Sequence, residues 1–158
     1  MCNSRITNRP RRTASPPLAS IVKCTMGIEE IEEQLPNGLH DAVLRKHTVD
    51  YAARTLVVDI DVWVGNLESG DATEREHYQP GVLTFEGLEY FVIEPSPEPE
   101  AVIEPFSFSA GNPDTEEIKP SVSLPTQREG TFRAYFFVYR LNAFMHICAT
   151  GVSFEYST

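Results

Sequence analysis

Between Thr55 and Val64 the chain alternates with a period of two. Leu56, Val58, Ile60, Val62 and Val64 fall on one side, and Thr55, Val57, Asp59, Asp61 and Trp63 on the other. Successive side chains of an extended strand point to opposite faces, so this pattern predicts an antiparallel strand with one face towards a core. A helix would scatter these apolar residues around its circumference. The segment therefore commits the fold to a sheet and asks what else can pair with it.

The neighbouring segments supply candidates. Ala42 to Asp50 reads as a strand, with Tyr51 to Arg54 as the connecting turn. Gly65 to Gln79 is polar and acid-rich, a loop. Gly81–Phe85 and Leu88–Glu94 read as two strands joined through Glu86-Gly87, a tight hairpin signal. Residues 95–130 are punctuated by Pro95, Pro97, Pro99, Pro105, Pro113, Pro120 and Pro125, which predicts an irregular insertion with Phe106 and Phe108 on a short edge strand. Phe132 to Arg140 is apolar on both faces and so is expected to be central. Phe144–Thr150 returns after a turn at Leu141-Asn142-Ala143, and Val152–Tyr156 adds a last strand.

One helix is expected, because Ile28, Ile31 and Leu35 recur at helical spacing with Glu29, Glu30, Glu32 and Glu33 between them. Pro36-Asn37-Gly38 stops it. The fold class that follows is mainly β: an antiparallel sandwich or partly closed barrel with one short N-terminal helix.

A composition break divides the chain at Met26. Residues 1–25 hold Arg5, Arg9, Arg11, Arg12 and Lys23 and no acid, a charge of +5. The remaining 13 − 5 = 8 basic residues face 23 acidic ones, a charge of −15, and the two parts sum to −10. Residues 1–25 lack apolar periodicity, and are read as a disordered leader or as a start site placed too early, with Met26 the first residue of the domain. Their Arg- and Ser-rich, acid-free composition also fits an organellar transit peptide. Residues 26–158 form a single β-rich domain. The hydrophobic fraction of 41% over the whole chain is enough for a core, and no apolar run approaches the length of a membrane span.

A body this acidic repels nucleic-acid phosphates and anionic lipid heads, so the expected charged partner is a basic protein rather than nucleic acid or membrane. Cys148 stands alone in the body and cannot form an internal disulfide, which points to a reducing, cytoplasmic setting.

No Gly-x-Ser-x-Gly elbow, phosphate loop, dinucleotide fingerprint or paired-cysteine zinc motif occurs, so there is no positive case for an enzyme. His40-Asp41 invites a metal-phosphohydrolase reading, but it supplies two ligands where such a centre needs more. The plainer reading is a structural turn in which one of the pair binds backbone at the strand entry. No metal or cofactor is expected. His146 and Cys148 share one strand face, too far apart for a nucleophilic pair, and Cys148 reads as a small buried hydrophobe. Trp63 beside Asp59 and Asp61 is the candidate anchor for a basic partner, because interface hot spots favour tryptophan. A second layer covering that face would instead make Trp63 core, and Val57 on the same face fits that alternative.

Leu35-Pro36-Asn37-Gly38-Leu39-His40-Asp41-Ala42 followed by an alternating strand pair, with Phe144-Met145-His146-Ile147-Cys148-Ala149 and Phe154-Glu155-Tyr156 at the end, resembles a pattern in small bacterial β-proteins. Some of these are grouped near polymorphic-toxin immunity proteins. The resemblance implies a bacterial, cytosolic, partner-binding role and carries no catalytic residues with it. The function expected is thus a non-enzymatic acidic binding domain, an immunity-type inhibitor of a basic partner. The competing expectation is a small-molecule-binding barrel or enzyme with Tyr135, Phe137, Tyr139 and His146 lining a pocket. A third is a structural subunit whose edge strands pair with another chain.

Overall fold

A computed structural model describes residues 22–24, 27–97, 104–116 and 118–158. Among the described residues nine strands form one antiparallel sheet: β1 (Val22–Cys24), β2 (Ala42–Asp50), β3 (Thr55–Trp63), β4 (Tyr78–Glu86), β5 (Tyr90–Ile93), β6 (Phe106–Gly111), β7 (Phe132–Val138), β8 (Ala143–Ala149) and β9 (Gly151–Tyr156). Their order is β1-β9-β4-β3-β2-β6-β7-β8-β5, which does not close into a barrel. The mainly β, antiparallel class expected from the alternation is the one observed.

On β3 the burial alternates without a break: Leu56, Val58, Ile60 and Val62 are buried, and Thr55, Val57, Asp59, Asp61 and Trp63 are half-buried. β7 is interior to the sheet, as its double-sided apolar pattern requires, with β6 on one side and β8 on the other. Its inward residues Ala134, Phe136 and Val138 meet Leu56, Ile60, Leu83, Phe85 and Phe108 in a single core. Phe136 packs against Phe108 at 4.7 Å and Phe85 at 6.0 Å between ring centroids, separations that favour tilted and edge-on arrangements.

Three expectations need correction. The Glu86-Gly87 hairpin is absent, because β4 pairs with β3 and β9 whereas β5 pairs with β8. Gly87 instead takes a positive φ of 60° where a Cβ would lie 2.1 Å from Thr150 Oγ1, so the glycine serves a bend and a close approach rather than a two-residue turn. Across that bend Glu89 N–H donates to Cys148 O and Thr150 N–H donates to Glu86 O. The β4–β5 and β8–β9 segments thus make one bent ribbon that joins the two halves of the sheet, and Val152–Tyr156 pairs with β4 rather than with its sequence neighbour. Phe106 and Phe108 lie on an interior strand between β2 and β7, not on an edge. The polar loop after β3 also holds a single helical turn, α2 (Ala72–Arg75), capped by Asp71, whose side chain accepts from Thr73 N–H.

Val22–Cys24 pairs with β9, although it lies in the segment read as leader. The rest of the 1–25 segment, residues 1–21 and Thr25, lies outside the described residues.

Helix α1 (Ile28–Gln34) buries Ile28 and Ile31 and touches both β6 and β9, covering the core where the two halves of the sheet meet. Glu32 on this helix is held unusually: burial pushes its carboxyl up to about 7, Leu39 N–H opposes this, and the Glu116 and Glu29 carboxylates add to the rise. A carboxyl that keeps its proton longer when folded makes stability fall as pH rises from about 4.5 to 7. Glu32→Gln is therefore expected to stabilise the protein at pH 8 by roughly 1–3 kcal/mol and much less at pH 5. Urea midpoints at the two pH values check it. An equal gap at both would mean that Glu32 ionises normally.

Candidate functional site

A surface groove lies at the end of the β3–β4 pair. Trp63 and Tyr78 are directly opposed in that ladder, which sets their side chains next to each other on one face. Trp63 is fixed from three directions. Its indole N–H donates to Arg75 O at 2.7 Å. The Asn37 side-chain amide donates to the carbonyls of Trp63 and Gly65 at 3.1 and 3.0 Å. Gly65 lets the returning loop come close, since a Cβ there would sit 1.9 Å from Arg75 O and 2.5 Å from the indole nitrogen. Two further loop bonds, Val64 N–H to His77 O and Asn66 N–H to Glu74 O, hold the loop against the strand end.

The result is an open groove of about 580 Å³ with Trp63, Tyr78 and Leu67 as its apolar walls and Asp41, Glu76 and Arg75 as its charged rim. Leu67 and Tyr78 are exposed. Burial raises the Tyr78 phenol, and the Asp41 and Glu76 carboxylates raise it further, so both acids act on the same point in the groove.

The residues singled out from sequence are distributed differently. Trp63 is in the groove, but Asp59 and Asp61 are engaged elsewhere on the sheet. Asp61 takes the Arg45 guanidinium from β2, and Asp59 lies 4.0 Å from Lys46 Nζ. The carboxylates that accompany Trp63 are Asp41 and Glu76. Asp41 was expected, with His40, to hold the turn by binding backbone. His40 Nδ1 meets Asp41 Oδ2 at 3.0 Å on the exposed surface, and Asn37 bonds the Trp63 and Gly65 carbonyls. Asp41 itself adopts φ 58°, a left-handed conformation that Asp tolerates better than most residues. Tyr78 and Leu67 carried no sequence signal beyond being large apolar residues in a polar stretch.

Tyr135, Phe137 and His146 sit on the outer face of β7 and β8, where Phe144 joins them in a packed row that Tyr139, in the 3-10 turn after β7, extends. Phe137 lies 4.9 Å from Phe144 and 5.5 Å from Tyr139, and Phe144 stacks on His146 at 5.7 Å. The polar tips of Tyr135 and His146 are already engaged. Tyr135 OH donates to Glu116, and His146 Nε2 lies 2.8 Å from Glu94 Oε1, which also accepts from Ser121 N–H at 2.8 Å. His146 and Glu94 are only 2% and 7% exposed. Burial pushes the Glu94 carboxyl up, but bonds from His146 and from the Ser121 and Phe144 backbone outweigh it and leave the group below its usual range. Satisfied, buried and paired, these groups hold the proline-rich crossing at Ser121 against β8.

Cys148, on the same face, is buried and donates to Thr131 Oγ1 at 3.4 Å. Burial pushes its thiol up, the opposite of what an activated nucleophile needs. Among the described residues no cluster of three or more His, Cys, Asp or Glu side chains is placed to hold a metal ion.

Compared with known proteins, the chain matches no family model, no curated protein and no solved structure.

Proposed function

We propose that this domain is a non-enzymatic binding protein that holds a basic protein partner at the Trp63 groove, in the manner of an immunity-type inhibitor acting in a bacterial cytoplasm. The observation that carries the reading is the fixed indole of Trp63 in an open groove beside Asp41 and Glu76. A large aromatic whose orientation is set before binding loses little entropy on docking, and such residues dominate interface energies. The net charge of −15 on residues 26–158, from 8 basic and 23 acidic residues, supports a basic partner and predicts electrostatic steering of the encounter. The buried, satisfied state of His146 and Glu94 supports a structural role for that pair rather than a catalytic one.

The test is capture of partners from a native extract on immobilised full chain, followed by binding kinetics at two salt concentrations. Association should slow as salt screens the charges. Trp63→Ala should act on dissociation, accelerating it by roughly thirtyfold if Trp63 contributes as a hot spot of about 2 kcal/mol. A small molecule copurifying in place of any protein would overturn the reading.

A further inference from the structure

We propose that the side chain received by the Trp63 groove is an arginine of the basic partner, a refinement that rests on the binding reading above. Trp63 and Tyr78 give the groove two neighbouring aromatic side chains. The indole is pinned through its N–H to Arg75 O, so its ring plane is set before a guest arrives. Asp41 and Glu76 lie on the same groove and both act electrostatically on the Tyr78 phenol, which places negative potential at the aromatic pair.

A guanidinium is matched to this combination. It is planar and weakly hydrated, so it stacks on an aromatic face while its edge N–H groups still donate to carboxylates. An ammonium is a strongly hydrated point charge and gives up one of those contacts to make the other. Charge complementarity extends past the groove. The segment between β3 and β4 carries Glu68, Asp71, Glu74 and Glu76 against Arg75 as its only arginine or lysine. Arg75 also fixes the sign of the site. Its carbonyl orients Trp63, but its positive charge opposes a cationic guest in the groove it lines, so removing that side chain should strengthen binding.

The experiment uses the full chain and the emission of Trp63, its one tryptophan. N-acetyl-triarginine amide and N-acetyl-trilysine amide are titrated separately at low salt. The arginine peptide should give a saturable change and bind at least about threefold tighter than the lysine peptide, the scale of an exposed cation–π contact. Asp41→Asn and Glu76→Gln should each weaken it by about two- to fivefold, and Arg75→Ser should tighten it by a similar factor. Thermal melts of the three variants are run alongside, and the Asn side chain preserves the left-handed tolerance needed at position 41. Equal affinity for the two peptides, or no saturable change with either, would overturn the assignment. So would the reversed charge pattern, weaker binding for Arg75→Ser with tighter binding for Asp41→Asn, which marks an acidic guest. If the peptides fail while the full chain still captures a basic protein that Trp63→Ala releases, the arginine assignment falls and the binding reading stands; capture that Trp63→Ala leaves unchanged overturns both.

Discussion

Replacing His146 by leucine is expected to destabilise the protein by about 3–5 kcal/mol, because it leaves the Glu94 carboxylate buried without its principal side-chain partner. The double replacement, His146→Leu with Glu94→Leu, should recover much of that loss, since two apolar side chains of similar volume no longer carry a desolvation cost. Ser121 N–H loses its acceptor in the double variant, so recovery should be incomplete. Urea unfolding of the wild type, both single variants and the double variant closes the cycle. A loss of less than about 1 kcal/mol for His146→Leu would mean that Glu94 reaches water or carries a proton when folded. The sign with pH follows from the lowered Glu94 carboxyl. Its contribution is fully present above the ordinary value of 4.5 and is lost as pH falls through the depressed folded value.

Ile60→Ala is the second large effect, expected at roughly 3 kcal/mol, whereas Asp59→Ala and Asp61→Ala should stay within about 1 kcal/mol. Ile60 is fully buried and lies opposite Gly81 on β4 and Leu44 on β2. Truncation removes three methyl or methylene carbons from a packed core and leaves a void there. Asp59 and Asp61 are neighbours of Ile60 in sequence but occupy the other face, where their ion pairs with Lys46 and Arg45 are partly solvated. Comparable losses for all three variants would show that β3 presents the wrong face to the core.

The alternation of β3 and the double-sided apolar character of β7 were legible because burial acts on each strand locally. A strand with one dry face and one wet face must write that difference into successive residues. Pairing was not legible in the same way. Glu86-Gly87 has the composition of a hairpin turn, yet a glycine at positive φ serves a bend as well as a turn. What decides between them is the distant Thr150 that crosses it. Phe106-Ser107-Phe108 looked like an edge because proline surrounds it, but the prolines lie outside the strand and cost it no ladder bonds.

The site was partly legible. Trp63 stood out by its residue type, whereas its carboxylate companions were misplaced. Asp59 and Asp61 share its strand and face, but cross-strand cations from β2 claim them. Asp41 and Glu76 come from positions that only the β2–β3–β4 register brings alongside. Asn37 gave no hint of its role, because an amide that bridges two carbonyls more than twenty residues away leaves no local pattern.

The bent ribbon also dictates an order of assembly. β2 and β3 are joined through residues 51–54 and β3 and β4 through residues 64–77, so these strands can zip as neighbours, whereas the contact of Tyr90 with Cys148 closes a loop of 148 − 90 = 58 residues. Such a closure is entropically unfavourable until the meander exists as a template, so the ribbon belongs to the late part of the search. Until it forms, the inner face of β7 and β8 has no opposing layer, and the nascent chain exposes Phe136, Met145 and Ile147. The interval between synthesis of β8 and docking of β9 against β4 is then a period in which this acidic chain is open to self-association, and its like charges oppose that association.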